Sequence, residues 1–377
     1  MQLKKLTKII GKKLSLNPEQ LDKLSKIIIL LLFGLVSFVI LCFISQLTSQ
    51  KTISDIALGL IPEFIGSIAV YWLLDSSIKQ LYGISELPAL PLEDFVDDIN
   101  SAKQIRILET FTDLANNKYL YDKFSKAVIT ALDNGAEIQI LLIHPDSEGA
   151  KQRDEELKSI GINVLDMLGL TLARFYKLQK QILDIKARVS HRGKLQIKLY
   201  NASPAIAMHM WDRDAYVSFF PVGKRSDEAP NLKISIVTTF GRFAASKFDE
   251  LWIHQETISL TSHMKLTVIL PNGQKNDLYY VRSGDKTPKS FYASCTFGEN
   301  LLNYLYQSCL PQADPIKVIA EGKSSLATCR RLNSPADKNL AIALIEKKYE
   351  WDAQERHAKI NSDPIIFTIE AIDNQSP

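Results

Sequence analysis

The chain has 377 residues, with 45 Lys and Arg against 42 Asp and Glu, and a formal net charge of +3. Seven lysines and two acids within residues 1–26 supply +5, so the rest is near neutral to slightly acidic, which argues against a large nucleic-acid-binding surface. The cysteines, Cys42, Cys295, Cys309 and Cys329, show no C-x-x-C spacing and point away from a disulfide framework or a cysteine zinc site.

Residues 1–26 read as a basic tail. Ile27 to Leu47 follows without a charged residue, and a helix of some 20 apolar residues spans a hydrocarbon core of about 30 Å. The run is expected to be a transmembrane helix, with the lysine-rich tail on the cytoplasmic side. Ile53 to Leu74 is expected to return the chain, with Tyr71 and Trp72 at the interface. Residues 27–74 would then be a two-helix hairpin in the inner membrane, with both termini cytoplasmic. Glu63, at membrane depth, is the candidate pore-lining residue of a homo-oligomer, since an ionisable group there faces a partner or water. Its alternative is a packed or protonated Glu in a simple anchor.

Residues 75–91 read as a linker, extended by the prolines of Leu87-Pro-Ala-Leu-Pro-Leu92. From 92 to 258 strand and helix signals alternate. Ile105–Leu108 and Glu137–Ile143 read as buried strands, and Tyr119–Asn134 as an amphipathic helix stopped by Gly135. Ser147–Ser159 reads as a polar helix capped by Asp146, and Val164–Val189 as a long amphipathic one. Leu195–Tyr200 is a strand, Ala205–Trp211 and Ala215–Pro221 form a hairpin, Lys233–Thr239 is a strand, and Phe243–His254 is a closing helix. This order predicts an α/β domain on a mixed, largely parallel sheet.

The run Ile105–Glu109, then ILLIHPDS at 140–147, LQIKLY, a hairpin near His209 and a final KFDELW helix resembles one repeat of the phospholipase D-like fold. The resemblance implies a His-x-Lys-x4-Asp site, paired across a two-fold, whose His attacks phosphorus. The motif is incomplete here. His209-Met210-Trp211 has Trp in the lysine position, and Asp214 stands five residues after His209 instead of seven. His263-Met264-Lys265 lacks its acid, with Leu270 in that place. Without the cation that stabilises phosphoryl oxygens, the expectation is a catalytically incomplete domain, with His209 a weak catalytic candidate.

Ligands of open α/β sheets sit beyond the carboxyl ends of the strands. Those ends make Thr110, Thr112, His144, Asp146 and Ser147 candidate ligand-binding residues, joined by Arg225 and Ser226 after the hairpin. A phosphate-bearing ligand such as a nucleotide is the expectation, against plain helix capping by Asp146 and Ser147.

In 262–377, Met264–Pro271 and Asp277–Arg282 flank Asn272-Gly273, a hairpin signal. A helix at Thr296–Leu310, a strand at Ile316–Ala320, a helical stretch from Asp337 to Lys359 and a strand at Pro364–Ile372 follow, for a small α+β domain of possible β-grasp-like form. No Gly-rich phosphate loop, H-E-x-x-H or G-x-S-x-G occurs, and no cofactor or metal is expected. The layout resembles bacterial membrane effectors of anti-phage defence. That resemblance implies a cytosolic domain that senses a ligand or partner protein while the hairpins assemble to breach the bilayer. The alternatives are a membrane-tethered phosphodiesterase using His209 and a scaffold that recruits a partner.

Overall fold

The structure is a computed structural model that describes residues 84–186, 193–224, 229–283, 290–295, 299–351, 355 and 365–372. The described residues lie in one compact unit. In chain order the first part comprises β1 (Ile84–Leu87), α1 (Leu92–Asp98), β2 (Gln104–Glu109), α2 (Asp113–Asn116), α3 (Lys118–Asp133), β3 (Glu137–Ile143), α4 (Glu148–Lys158) and α5 (Val164–Lys186). It continues through β4 (Lys194–Tyr200), β5 (Ile206–Trp211), β6 (Asp214–Phe219), β7 (Asn231–Ser235), α6 (Thr239–Ile253), β8 (Ile258–Ser259) and α7 (Leu260–His263).

These strands form one eight-stranded mixed sheet in the order β1-β7-β6-β5-β2-β3-β4-β8. β2, β3 and β4 run parallel, with Ile107 opposite Ile140 and Ile140 opposite Ile197. β5 turns antiparallel against β2, placing His209 opposite Ile107. Ile105, Ile107, Ile138 and Ile140–Ile143 are all buried, as expected where helices cover both faces of a parallel sheet. α3 buries Phe124, Ala127, Val128, Ala131 and Leu132 at helical spacing. Gly241 is required at the start of α6, where a Cβ would lie 2.1 Å from the Ser235 carbonyl oxygen.

The second part comprises β9 (Leu266–Ile269), β10 (Lys275–Arg282), β11 (Ser290–Cys295), α8 (Glu299–Ser308), β12 (Ile316–Ala320), β13 (Lys323–Arg331), α9 (Pro335–Tyr349) and β14 (Ile365–Ala371). Its six strands close into a barrel, β10-β11-β14-β13-β12-β9. Val268, Tyr280, Phe291, Val318, Phe367 and Ile369 fill its interior. α9 joins the two parts. Its Ala341, Ile342, Ile345 and Tyr349 belong to the same apolar core as the sheet and α5.

The expected fold class, a membrane α-hairpin with an α/β and an α+β domain, is corrected in two places. No described helix is long and apolar enough to cross a membrane. α5, the longest, is interrupted by Asp166, Arg174, Lys177 and Lys180. The proposed spans 27–47 and 53–74, with Glu63, lie outside the described residues. The transmembrane reading and the multi-pass inner-membrane placement have no spanning helix among the described residues. The second correction is the C-terminal domain, which is a closed six-stranded barrel and not a β-grasp-like α+β unit. β11 and β13 make the difference. SFYASC and KSSLATCRR are polar, short of apolar alternation, and do not announce strands, yet they pair with the two edges of β14. Closure leaves no free edge, which explains how such weak strand formers hold their pairing.

The Sγ atoms of Cys309, just past the end of α8, and Cys329, on β13, lie 3.5 Å apart and are not joined by a disulfide. Mild oxidation is expected to join them. A bridge closing a loop of this size stabilises by about 3 kcal/mol where it fits without strain. Thermal unfolding with and without oxidant, with thiol counting by mass spectrometry, checks this, and Cys309→Ser should abolish the shift.

Candidate functional site

The chain leaves the sheet and enters the barrel at α7. Ser259 caps this short helix by accepting from the Ser262 N–H, and His263 ends it. Next to it is the carboxyl end of β3, where the His144 N–H still donates to the Tyr200 carbonyl at 2.8 Å. The third contributor is the two-residue turn between β12 and β13. Glu321 has φ +52° and Gly322 φ +79°, the pair of positive values that a tight hairpin turn needs. Asn or Asp is the usual choice at the first position; Glu there costs about 1–2 kcal/mol of backbone strain.

These three segments bring His144, His263 and Glu321 together. His144 Nε2 lies 3.7 Å from Glu321 Oε1, and His263 Nδ1 lies 3.4 Å from the same oxygen. The two imidazole rings meet edge to face, with centroids 5.0 Å apart. Arg282, on β10, bridges Glu321 Oε2 and Asp146 Oδ2 at 2.5 Å each. The His263 carbonyl is clamped by the Tyr280 hydroxyl at 2.7 Å and by Lys348 Nζ at 3.2 Å. Tyr349 secures the neighbouring residue by donating to the Met264 carbonyl at 2.5 Å.

Burial governs the charges. It pushes the His263 imidazole down to about 4, so the ring is neutral at pH 7. Burial would raise Glu321, but His263 and Arg282 outweigh it and hold the carboxyl well below the usual range. Burial also lowers the Lys348 ammonium to about 7, with its Nζ 3.5 Å from the Tyr280 ring centroid.

A cleft of about 1040 Å³ opens over this cluster, walled by α3 and α5 on one side and by β10, α9 and the β12–β13 turn on the other. Its lining holds six cations and six carboxylates. Four of the six cations are ion-paired: Arg174 with Glu350, Lys177 with Glu355, Lys347 with Asp166, and Arg282 as above. Lys118, at the first turn of α3, has no ion-pair partner among the described residues, and Trp351 offers an aromatic wall backed by Tyr349.

The expected site residues divide. Asp146 lines the cleft and His144 adjoins it. Thr112 and Ser147 use their hydroxyls as helix caps, toward the N–H groups of Leu114 and Ala150. Ser147, not Asp146, is thus the cap of α4, because Asp146 is held by Arg282. Thr110 is buried. Arg225, Ser226 and Glu63 lie outside the described residues. His209 is 1% exposed, edge-on to Phe95, with Nε2 3.6 Å from Glu109 Oε1. Burial lowers it to about 3, so it is a neutral ring walled off from solvent. Sequence reasoning missed Arg282, Glu321 and Lys348, and considered His263 only for a motif it does not complete. Glu321-Gly322 alone carried a signal, as a turn filled by a residue poor at turning.

No family model matches the chain, and no curated protein matches it. Among solved structures it is similar to TrmBL2, an archaeal chromatin protein whose structure shows a novel mode of DNA binding. The match has 12% identity, covers 53% of this chain and 64% of that one, and has a TM-score of 0.27. The chain thus spans less than two thirds of that protein's length, and a likeness this slight carries neither a fold nor a function. The comparisons give no support to a phospholipase D-like domain.

Proposed function

We propose that the chain is a ligand-binding sensor, not a phosphodiesterase, and that its ligand is a nucleotide of low charge held in the cleft between sheet and barrel. The carrying observation is the cleft itself. It lies beyond the carboxyl end of β3, where α/β sheets bind ligands, and both parts of the unit wall it. At about 1040 Å³ it is at the upper end of small-molecule sites and has room for a nucleotide with water. Equal numbers of cations and carboxylates, mostly paired, disfavour a polyphosphate, whose charge would have to displace Asp146, Asp166 or Glu350. A mono- or cyclic nucleotide needs one unengaged cation and an aromatic face, which Lys118 and Trp351 supply. Because the ligand would touch both walls, binding would favour one arrangement of sheet and barrel over another, the requirement for a sensor. The burial of His209 supports a binding role over phosphoryl chemistry.

The test is calorimetry on the full chain with nucleoside mono-, di- and triphosphates and cyclic nucleotides. Binding of a mono- or cyclic nucleotide, weakened at least about tenfold by Lys118→Glu, is the expected result; tenfold is 1.4 kcal/mol, ordinary for one charge contact at a binding site. Absence of binding by every nucleotide, or binding indifferent to Lys118 and Trp351, contradicts it.

A further inference from the structure

We infer that His144, His263 and Glu321 form a site for a divalent transition-metal ion of the zinc class. This goes beyond the nucleotide reading and does not depend on it, since the donors come from three segments whatever occupies the cleft above.

The donor set carries the inference. Two imidazoles and one carboxylate are the ligands of open tetrahedral zinc sites. One ligand atom from each of the three residues lies within 4.8 Å of the other two. With bonds of about 2.0–2.1 Å, the edges of a zinc tetrahedron are about 3.3–3.4 Å. The observed separations from Glu321 Oε1 are 3.4 Å to His263 Nδ1 and 3.7 Å to His144 Nε2. Contraction of a few tenths of an ångström would bring both edges from Glu321 to that length, and the His144–His263 edge is within 4.8 Å.

Two of the donor atoms are otherwise poorly served. His263 Nδ1 and Glu321 Oε1 are buried and make no hydrogen bond, their 3.4 Å approach being misaligned. Buried polar atoms without a partner are uncommon, and an ion is one of the ordinary explanations. Glu321 is also held at positive φ, a strained position that points its carboxylate at the two rings. The surroundings resemble an outer shell. Arg282 fixes the second Glu321 oxygen, while Tyr280 and Lys348 fix the backbone of His263. Lys348 donates from Nζ to that carbonyl and sits over the Tyr280 ring. Arg282 and Lys348 are the opposing charges, and the carboxylates of Asp146 and Glu321 balance them.

One adjustment is required. His144 Nδ1 accepts the Asp146 N–H at 3.2 Å, which places the ring proton on Nε2. A metal on Nε2 moves that proton to Nδ1, where the Asp146 carboxylate waits at 3.8 Å. The cost is one backbone hydrogen bond, and the gain is a carboxylate–histidine–metal chain. The ion would tie the sheet to both the entry and the far turn of the barrel.

The experiment is zinc titration of the full, metal-stripped chain by calorimetry and thermal unfolding, with cobalt as a spectroscopic probe. The expected result is one ion per chain, a higher melting temperature, and tetrahedral cobalt bands. His144→Gln and Glu321→Gln should each weaken binding at least about a hundredfold, while His254→Ala should bind as the wild type does. His144→Gln is partly exposed and decides the matter if Glu321→Gln fails to fold. No binding of zinc or cobalt, or binding unchanged in His144→Gln, overturns the site. Nucleotide binding by the metal-stripped chain, beside zinc binding that survives Lys118→Glu, would separate the two proposals.

Discussion

Glu109→Gln is expected to stabilise the protein, by about 1–3 kcal/mol at neutral pH, the scale of an unsatisfied buried polar group. Glu109 ends β2 in the core. Burial, aided by the charge of Asp113, raises its carboxyl well above the ordinary value, against a backbone hydrogen bond to Thr110 that lowers it. Its neighbour His209 is neutral and too far, at 3.6 Å, for a strong hydrogen bond. A carboxyl whose folded pKa is raised holds its proton in the native state while the unfolded chain releases it. Its contribution is therefore fully present below the ordinary carboxylate range and is lost as pH rises toward the folded value. Glutamine removes that loss, so the gain over wild type should grow from near zero at pH 4 to its full size at neutral pH. The acid side belongs to His209, whose lowered pKa makes stability fall as pH drops below about 6.5; Glu109→Gln should leave that limb in place. Urea unfolding across pH measures both. A destabilised Glu109→Gln at pH 7 would show that the carboxylate is ionised and served in the fold.

Tyr349→Ala is expected to cost about 3–5 kcal/mol, the range for removing a buried aromatic side chain. Tyr349 is 2% exposed at the end of α9. Its ring meets Tyr176 of α5, Tyr279 of β10 and Trp351, and its hydroxyl receives the Tyr280 N–H and donates to the Met264 carbonyl. It thus fastens barrel to sheet through packing and backbone at once. Tyr349→Phe keeps the ring and strands the Met264 carbonyl, for a loss of about 1–3 kcal/mol. Denaturant unfolding gives both numbers. Limited proteolysis of Tyr349→Ala should cut first at the passage 260–266, where the chain crosses between the two parts.

Much of the α/β part was legible because its periodicities are strong. EIQILLI runs from Glu137 to Ile143 as β3 with the limits its pattern suggests, and Gly135 stops α3 at φ +84°. The barrel was not, because β11 and β13 are polar strands held by closure, a tertiary effect that alternation does not record. The site was half legible. His144 and Asp146 follow from the rule that ligands gather at strand ends, but Arg282, Glu321 and Lys348 reach it from 136 or more positions away, across a domain junction no local pattern predicts. His209 was legible as a histidine in a hairpin; its burial against Phe95 was not, because α1 supplies the cover from a separate segment.

Where the ligand binds is the deciding property of this protein. Hydrogen exchange of the full chain, with and without the nucleotide that binds most tightly, is the direct measurement. Protection confined to 118–122, 144–147, 263–265, 280–282 and 346–351, the walls of the cleft, is the predicted result. Protection centred instead on β5 and β6 around His209, with the cleft segments unchanged, would contradict it and return attention to the buried histidine.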